Sequence, residues 1–255
     1  MKPIKIYNAP RGTGPNPWKP IILAEELNLP YEIVWTSYGD IKSEPYLSLN
    51  PNGRVPAMID PNTNVTLWES GAILEYLIAL YDKELKLSYG EDRLEDKWQV
   101  HSWLMLQMSG QGPTFGQRTW FIYFHGEENL TTALERYGKE TKRIVAVIDA
   151  HLNKQEKKLG LSDDQEVWLV GDKCTFADLS FASWNLLLYQ TLFPEGFDIE
   201  GEYPDFYRWS HNVFKRPAVN KVVQIREEAM RTMADSAGAV LERQTDSRGM
   251  EKLPY

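Results

Sequence analysis

The chain has 255 residues, 42% of them hydrophobic, 25% charged and 12% aromatic, with a formal net charge of −8 and a sequence pI of about 5.2. That length holds one large domain or two modest ones with a sizeable core. The acidic balance, with no basic stripe, excludes nucleic acid as the expected partner. No stretch approaches the roughly 18 apolar residues of a membrane span, and the start lacks the apolar run of a signal peptide, so no membrane and a cytoplasmic location are expected. One cysteine, Cys174, rules out an intrachain disulfide, and with four scattered histidines no metal site is expected.

Residues 2–7 (KPIKIY) form a short strand with Ile4 and Ile6 on one face. Residues 9–20, rich in Gly and Pro, form a loop, and 21–29 (IILAEELNL) have helical spacing. Residues 31–36 make a second strand. Residues 56–60 and 64–67 make two more, parted by the turn Asp60-Pro61-Asn62. Residues 69–81 are an amphipathic helix with Ile73, Leu74, Leu77, Ile78 and Tyr81 on the core side. The polar stretch after it reads as a linker, and everything beyond is helical: 93–108, 130–159, 176–188, 206–214 and 219–230. The long segment 130–159 carries a core stripe of Leu134, Tyr137, Ile144, Val147, Ile148 and Leu152.

The expected organisation is a small α/β domain over 1–83, a linker over 84–92, an all-α domain over 93–240 and a flexible tail over 241–255. The strand–helix–strand start implies a parallel pair with a right-handed crossover. The later strand–turn–strand is an antiparallel hairpin added to that sheet.

Chemistry concentrates in two segments. In residues 50–60, Asn50-Pro51 and Asn52-Gly53 make a turn, and Val55-Pro56 enters a strand. Proline at a strand start has no N–H to give, so its neighbour's backbone is left for a ligand. With a cis Val55-Pro56 bond, Val55 presents N–H and C=O like a sheet edge, to which a peptide backbone can pair. Read alone, the segment fits an ordinary turn and edge strand equally well. In residues 67–73, Ser70 is placed to cap the following helix, and Gly71 allows close approach to its first turn. That helix start is an anion site, and Glu69 beside it offers a charge for an ammonium. Together they suit an α-amino-acid end, although a plain cap and a solvated Glu give the same sequence.

Jointly the two segments are more specific. Asn-Pro-x-Gly-x-Val-Pro-Ala at 50–57, followed by Glu-Ser-x-Ala-Ile at 69–73, resembles the thioredoxin-like domain of glutathione S-transferases, and the helical remainder resembles their C-terminal domain. Residues 50–59, 67–74 (LWESGAIL) and 107–117 (QMSGQGPTFGQ) resemble the fungal Ure2p-like class more narrowly. The resemblance implies the glutathione S-transferase fold, glutathione as co-substrate and a homodimer. It implies that Glu69 and Ser70 hold the γ-glutamyl end, that Val55 pairs with the cysteinyl backbone and that Arg54 contacts a glutathione carboxylate. Lys42, near a position where some relatives carry histidine, is expected at the glycyl carboxylate.

Thiol activation is the harder question. A free thiol titrates near about 8.5, and lowering that by two units takes about 2.7 kcal/mol. The family's donor is Tyr, Ser or Cys in or after the first strand, yet residues 7–19 contain no Ser or Cys. In Ure2p-like proteins an Asn in a similar Pro-Asn setting faces the sulfur, which implies Asn16, with Pro17 suiting a first helical position. Asn16 merely capping that helix is the competing reading. Thr13 is the second candidate donor and Tyr7 the third. Met108, Phe115 and Trp120 are the expected walls for an apolar electrophile, although Met and aromatic stripes are more often core. Thr175-x-x-Asp178 reads as a structural capping box, and Cys174 as a small core residue.

The activity implied is conjugation of the glutathione thiol to an electrophilic small molecule, in detoxification or secondary-metabolite biosynthesis. A glutathione-dependent disulfide reductase and a non-enzymatic, glutathione-binding regulator are the alternatives.

Overall fold

Alternation of two sets the first strand: Ile4 and Ile6 are fully buried while Lys5 between them is exposed. In the computed structural model, which describes residues 1–126, 130–162, 165–194, 196–236, 244–245 and 251–252, this strand is β1 (Ile4–Asn8). It pairs in parallel with β2 (Tyr31–Trp35) and antiparallel with β3 (Ala57–Asp60), which turns back into β4 (Val65–Trp68). The sheet order is β2-β1-β3-β4, the parallel pair plus hairpin that the element order implies.

The crossover helix α1 (Trp18–Glu26) starts three residues before the expected 21. Pro20 therefore lies in its first turn, where the missing N–H has no intrahelical partner to lose. Ile21, Ile22, Leu23 and Ala24 are all buried, because helices pack on α1 on the side away from the sheet. α2 (Ser70–Tyr81) buries Ile73, Leu74 and Leu77. Its far end is tied to the β-hairpin, since the hydroxyls of Tyr76 and Tyr81 both donate to Asp60 Oδ2.

The polar stretch after α2 is pinned down. Asp82 accepts from the N–H groups of Lys86 and Leu87 and from Ser88 Oγ, and Leu87 and Tyr89 enter the core. α3 (Leu94–Leu106) does not stop at 108, where the sequence pattern ends it. It passes through a π turn (Gln107–Gln111) into α4 (Gly112–Tyr123), whose proline sits in the first turn. In α5 (Thr131–Leu159) the buried stripe is Thr141, Ile144, Val145, Ile148 and Leu152. Val147, expected there, is 40% exposed, because at 100° per residue it points well away from the centre of that stripe.

α6 (Phe176–Leu187) is buried along almost its whole length. Its capping box forms: Asp178 Oδ2 accepts from the N–H and hydroxyl of Thr175, while Oδ1 accepts from Leu169 N–H and Trp209 Nε1. α7 (Ile199–Glu202), α8 (Pro204–Lys215) and α9 (Pro217–Ser236) complete the helical part. The tail expected over 241–255 falls mostly outside the described residues; within it β5 (Gln244–Thr245) pairs antiparallel with β6 (Glu251–Lys252).

Candidate active site

A cleft of about 640 Å³ lies between the start of α1, the start of α2 and helix α4. Asn16, Lys19, Arg54, Glu69 and Met108 line one side; Gly112, Pro113, Gly116, Gln117 and Trp120 of α4, with Trp184 of α6, line the other. That volume lies within the range of small-ligand sites, roughly 300 to 1,000 Å³.

Ser70 is not the cap its sequence suggests. Glu69, not Ser70, occupies the N-cap of α2, with φ 67° and ψ 118°. A left-handed backbone at a non-glycine residue costs about 1–3 kcal/mol and concentrates at functional sites. It leaves the Glu69 side chain exposed on the cleft wall. Ser70 is the first helical residue and makes no cap; its buried Oγ accepts from Lys19 Nζ at 3.2 Å. Gly71 does bring a close approach, but the neighbour is Met108: a Cβ there would lie 3.0 Å from Met108 Cγ.

The Val55-Pro56 bond is cis, and among the described residues neither the N–H nor the C=O of Val55 has a hydrogen-bond partner. The turn before it is held from outside. Tyr46 OH (2.7 Å) and Asn50 Nδ2 (2.6 Å) donate to the Arg54 carbonyl, and Lys42 Nζ donates to the Gly53 carbonyl at 2.5 Å. Gly53 has φ 58°, and a Cβ there would meet the Ile41 carbonyl at 3.2 Å. Arg54 reaches the cleft, whereas Lys42 does not line it and its ammonium serves this turn.

Of the three candidate thiol donors, one faces the cleft. The loop after β1 is pinned by Trp18, whose Nε1 donates to the Gly12 carbonyl at 2.7 Å. Asn16 makes no cap hydrogen bond; its Oδ1 accepts from Trp184 Nε1 at 3.0 Å. An indole N–H can only donate, so the atom facing it must be the amide oxygen, and the amide NH₂ is turned away from Trp184. Gly116 of α4 faces the Trp184 ring, and a Cβ there would lie 3.4 Å from it, an ordinary van der Waals contact. Thr13 Oγ1 lies 3.3 Å from Tyr38 OH instead, and Tyr7 packs edge-on against Tyr46. Neither lines the cleft. Burial, then the charge of Glu32, raises the Tyr7 phenol further from ionisation.

Among the expected substrate walls, Met108 and Trp120 line the cleft and Phe115 does not. Phe115 is fully buried and packs edge-on against Trp184, with centroids 6.4 Å apart. Cys174 is sealed in the core, and burial pushes its thiol well up, which removes it as a nucleophile.

Sequence reasoning missed Lys19. Its side chain is buried, and its Nζ donates to Gln107 Oε1 at 2.6 Å and Ser70 Oγ at 3.2 Å, with Met108 Sδ at 3.6 Å. From Gln107 the chain of amides continues to Gln111 Oε1 (3.1 Å) and from Gln111 to Asn185 Oδ1 (2.8 Å), all buried. The sequence carries little signal for it: Lys19 falls in the Gly- and Pro-rich stretch read as a loop, and it is the start of α1 at Trp18 that turns it inward. Burial lowers the Lys19 amine to about 7, with Glu69 acting the other way.

Comparisons with known proteins place the chain in a family. Residues 13–80 match the glutathione S-transferase N-terminal domain and residues 113–217 the C-terminal domain. The chain is 43% identical over 224 residues, 88% of its length and 95% of the relative's, to the glutathione S-transferase-like protein gedE of Aspergillus terreus. Two crystal structures from Phanerochaete chrysosporium are similar. The glutathione transferase URE2P8 with oxidized glutathione has TM-score 0.80 and 35% identity, covering 91% of this chain and 98% of that one. Ure2p5 cocrystallized with 1-(S-glutathionyl)-2,4-dinitrobenzene has TM-score 0.77 and 36% identity, with the same two coverages. The chain belongs to the glutathione S-transferase family, in its Ure2p-like class.

Proposed function

We propose that this member of the glutathione S-transferase family conjugates the glutathione thiol to an apolar electrophilic small molecule. The observation that carries the reading is the Asn16 amide, whose NH₂ the Trp184 indole turns away from itself on the wall of a cleft that both residues line. An amide donor stabilises a thiolate without itself titrating, and proximity to a bound electrophile supplies much of the remaining rate.

The other parts of the cleft suit the tripeptide. The γ-glutamyl ammonium pairs with Glu69 and its carboxylate sits at the start of α2, where unpaired N–H groups and the helix dipole favour an anion. The cysteinyl backbone pairs with Val55, and Arg54 meets a carboxylate. Met108 and Trp120 receive the apolar part of the electrophile. Support comes from Ure2p5, which was crystallised with a glutathionyl dinitrobenzene conjugate. A homodimer is the proposed assembly: Leu94, Trp98 and Met105 are 51%, 60% and 47% exposed and lie on one face of α3.

One observation favours a second reading, disulfide reduction. URE2P8 was crystallised with oxidized glutathione, and here the single cysteine is sealed, so a second glutathione thiol would have to resolve a mixed disulfide. Turnover measured with a chlorinated nitroaromatic and, separately, with a mixed glutathione disulfide decides between the two. Activity on the nitroaromatic supports conjugation. Activity on the disulfide alone overturns it, and glutathione binding with neither activity points to a regulator.

A further inference from the structure

Lys19 is an uncommon residue at this depth. A buried ammonium is ordinarily paired with a carboxylate, yet among the described residues no carboxylate oxygen lies within ion-pairing distance of Lys19 Nζ. Its three neighbours are a hydroxyl, an amide oxygen and a thioether, all neutral. The group nonetheless forms part of the cleft floor, and the hydroxyl it bonds belongs to Ser70, the first residue of α2. The cleft floor thus holds a buried amine with only neutral partners, next to the helix start where an anion is drawn.

We infer that Lys19 is the buried counter-charge for the γ-glutamyl carboxylate, and that glutathione binding draws a proton from solvent onto Lys19 Nζ. The inference rests on the glutathione reading above. A carboxylate bonded to Ser70 falls within a few ångströms of Nζ, and in so enclosed a place it strongly favours the ammonium. Without it, burial holds the amine near 7, so close to half of the free protein carries the neutral form at neutral pH. The step balances simply: a neutral amine and one proton become an ammonium, with no other bond made or broken.

The charged groups facing Lys19 are few. From the start of α2, Glu69 is the ionisable group whose charge reaches it, and Arg54 stands on the wall of the same cleft. The π turn offers Gln107 and Met108, with Gln111 and Asn185 behind Gln107 in the amide chain, and α6 sets Trp184 on the cleft wall. None of these side chains titrates, and Glu69 is kept in both proteins compared below, so a difference in proton uptake between them is assigned to Lys19.

The test uses S-methylglutathione, whose sulfur cannot titrate. Calorimetry in buffers of different ionisation enthalpy, on the whole protein and on Lys19→Met, reads the protons taken up on binding. The ligand's own amine contributes equally to both proteins, so the difference belongs to Lys19. The expected difference is about 0.5 proton at pH 7 and about 0.9 at pH 8, with the unsubstituted protein's affinity falling about fivefold between those values. Equal proton uptake by the two proteins, or an affinity flat from pH 7 to 8, overturns the inference alone. No binding of S-methylglutathione by the unsubstituted protein overturns the glutathione reading and the inference with it. If Lys19→Met does not fold, ¹⁵N-lysine NMR of the unsubstituted protein replaces it. Lys19 Nζ should then titrate near pH 7 when free and stay charged through pH 8 when bound; a free Nζ charged through pH 8 refutes the idea.

Discussion

Replacing Asn16 with Ala removes the amide while leaving the helix start intact, because Asn16 makes no cap hydrogen bond. What is lost is one donor to an anionic sulfur. A hydrogen bond to a charged group contributes about 1.5–3 kcal/mol, and one pKa unit corresponds to about 1.36 kcal/mol, so the bound thiol should rise by about 1–2 units. Trp184→Phe is the graded companion. It keeps the edge-on contact with Phe115 but removes the indole N–H that orients the amide. One neutral hydrogen bond contributes about 1 kcal/mol, only part of which reaches the sulfur, so a rise of about 0.3–0.7 unit is expected. The assay is the pH titration of thiolate ultraviolet absorbance for glutathione bound to each protein, with affinity measured in parallel. Tyr7→Phe and Thr13→Val should leave that titration unmoved, since neither residue lines the cleft. An unchanged thiol titration in Asn16→Ala, with glutathione still bound, refutes the assignment.

Glu69→Gln should weaken S-methylglutathione binding about fivefold, the scale of a solvent-exposed ion pair near 1 kcal/mol, and an unchanged affinity in isothermal calorimetry would remove Glu69 from the site. Lys19 also predicts a pH slope in stability. Its folded-state value near 7 lies below the ordinary lysine value, so the unfolded chain binds more protons between pH 7 and 10 and stability rises with pH there. At most about 1.4 kcal/mol per unit is expected from this group, or ~2–3 kcal/mol from pH 7 to 9, and Lys19→Met should lack that increment in ligand-free urea unfolding. Trp120→Ala should raise KM for an apolar electrophile several-fold while leaving KM for glutathione unchanged; equal effects on both would place Trp120 elsewhere. Trp98→Glu should yield monomers in sedimentation if the exposed α3 face forms the dimer, and an unaltered sedimentation coefficient contradicts that surface.

The sheet was legible because its signals are local. Ile4 and Ile6 alternate, and the hairpin carries its own turn at Asp60. The pocket-forming segments at 50–57 and 69–73 were legible as a combination, since neither turn chemistry nor a Glu-Ser pair is specific alone. What escaped was decided by tertiary partners. Ser70 looks like a cap in the sequence, but the left-handed Glu69 takes that position and Lys19 claims the Ser70 hydroxyl. Gly71 was read as room for a ligand, and Met108 occupies it. Phe115 and Trp120 sit five residues apart, about 140° around one helix, so they cannot share a face, and packing against α6 decides which one enters the core. The role of Asn16 depended on Trp184, a residue 168 positions away.

We propose that this cleft holds glutathione with its sulfur on the Asn16 amide. The most direct measurement is a crystal structure of the protein with glutathione bound. The sulfur is expected within hydrogen-bond distance of Asn16 Nδ2, the cysteinyl backbone paired with Val55, and the γ-glutamyl carboxylate at the start of α2 above Lys19. A sulfur resting on Tyr7 or Thr13, or a tripeptide bound outside the cleft between Glu69 and Trp184, would contradict it.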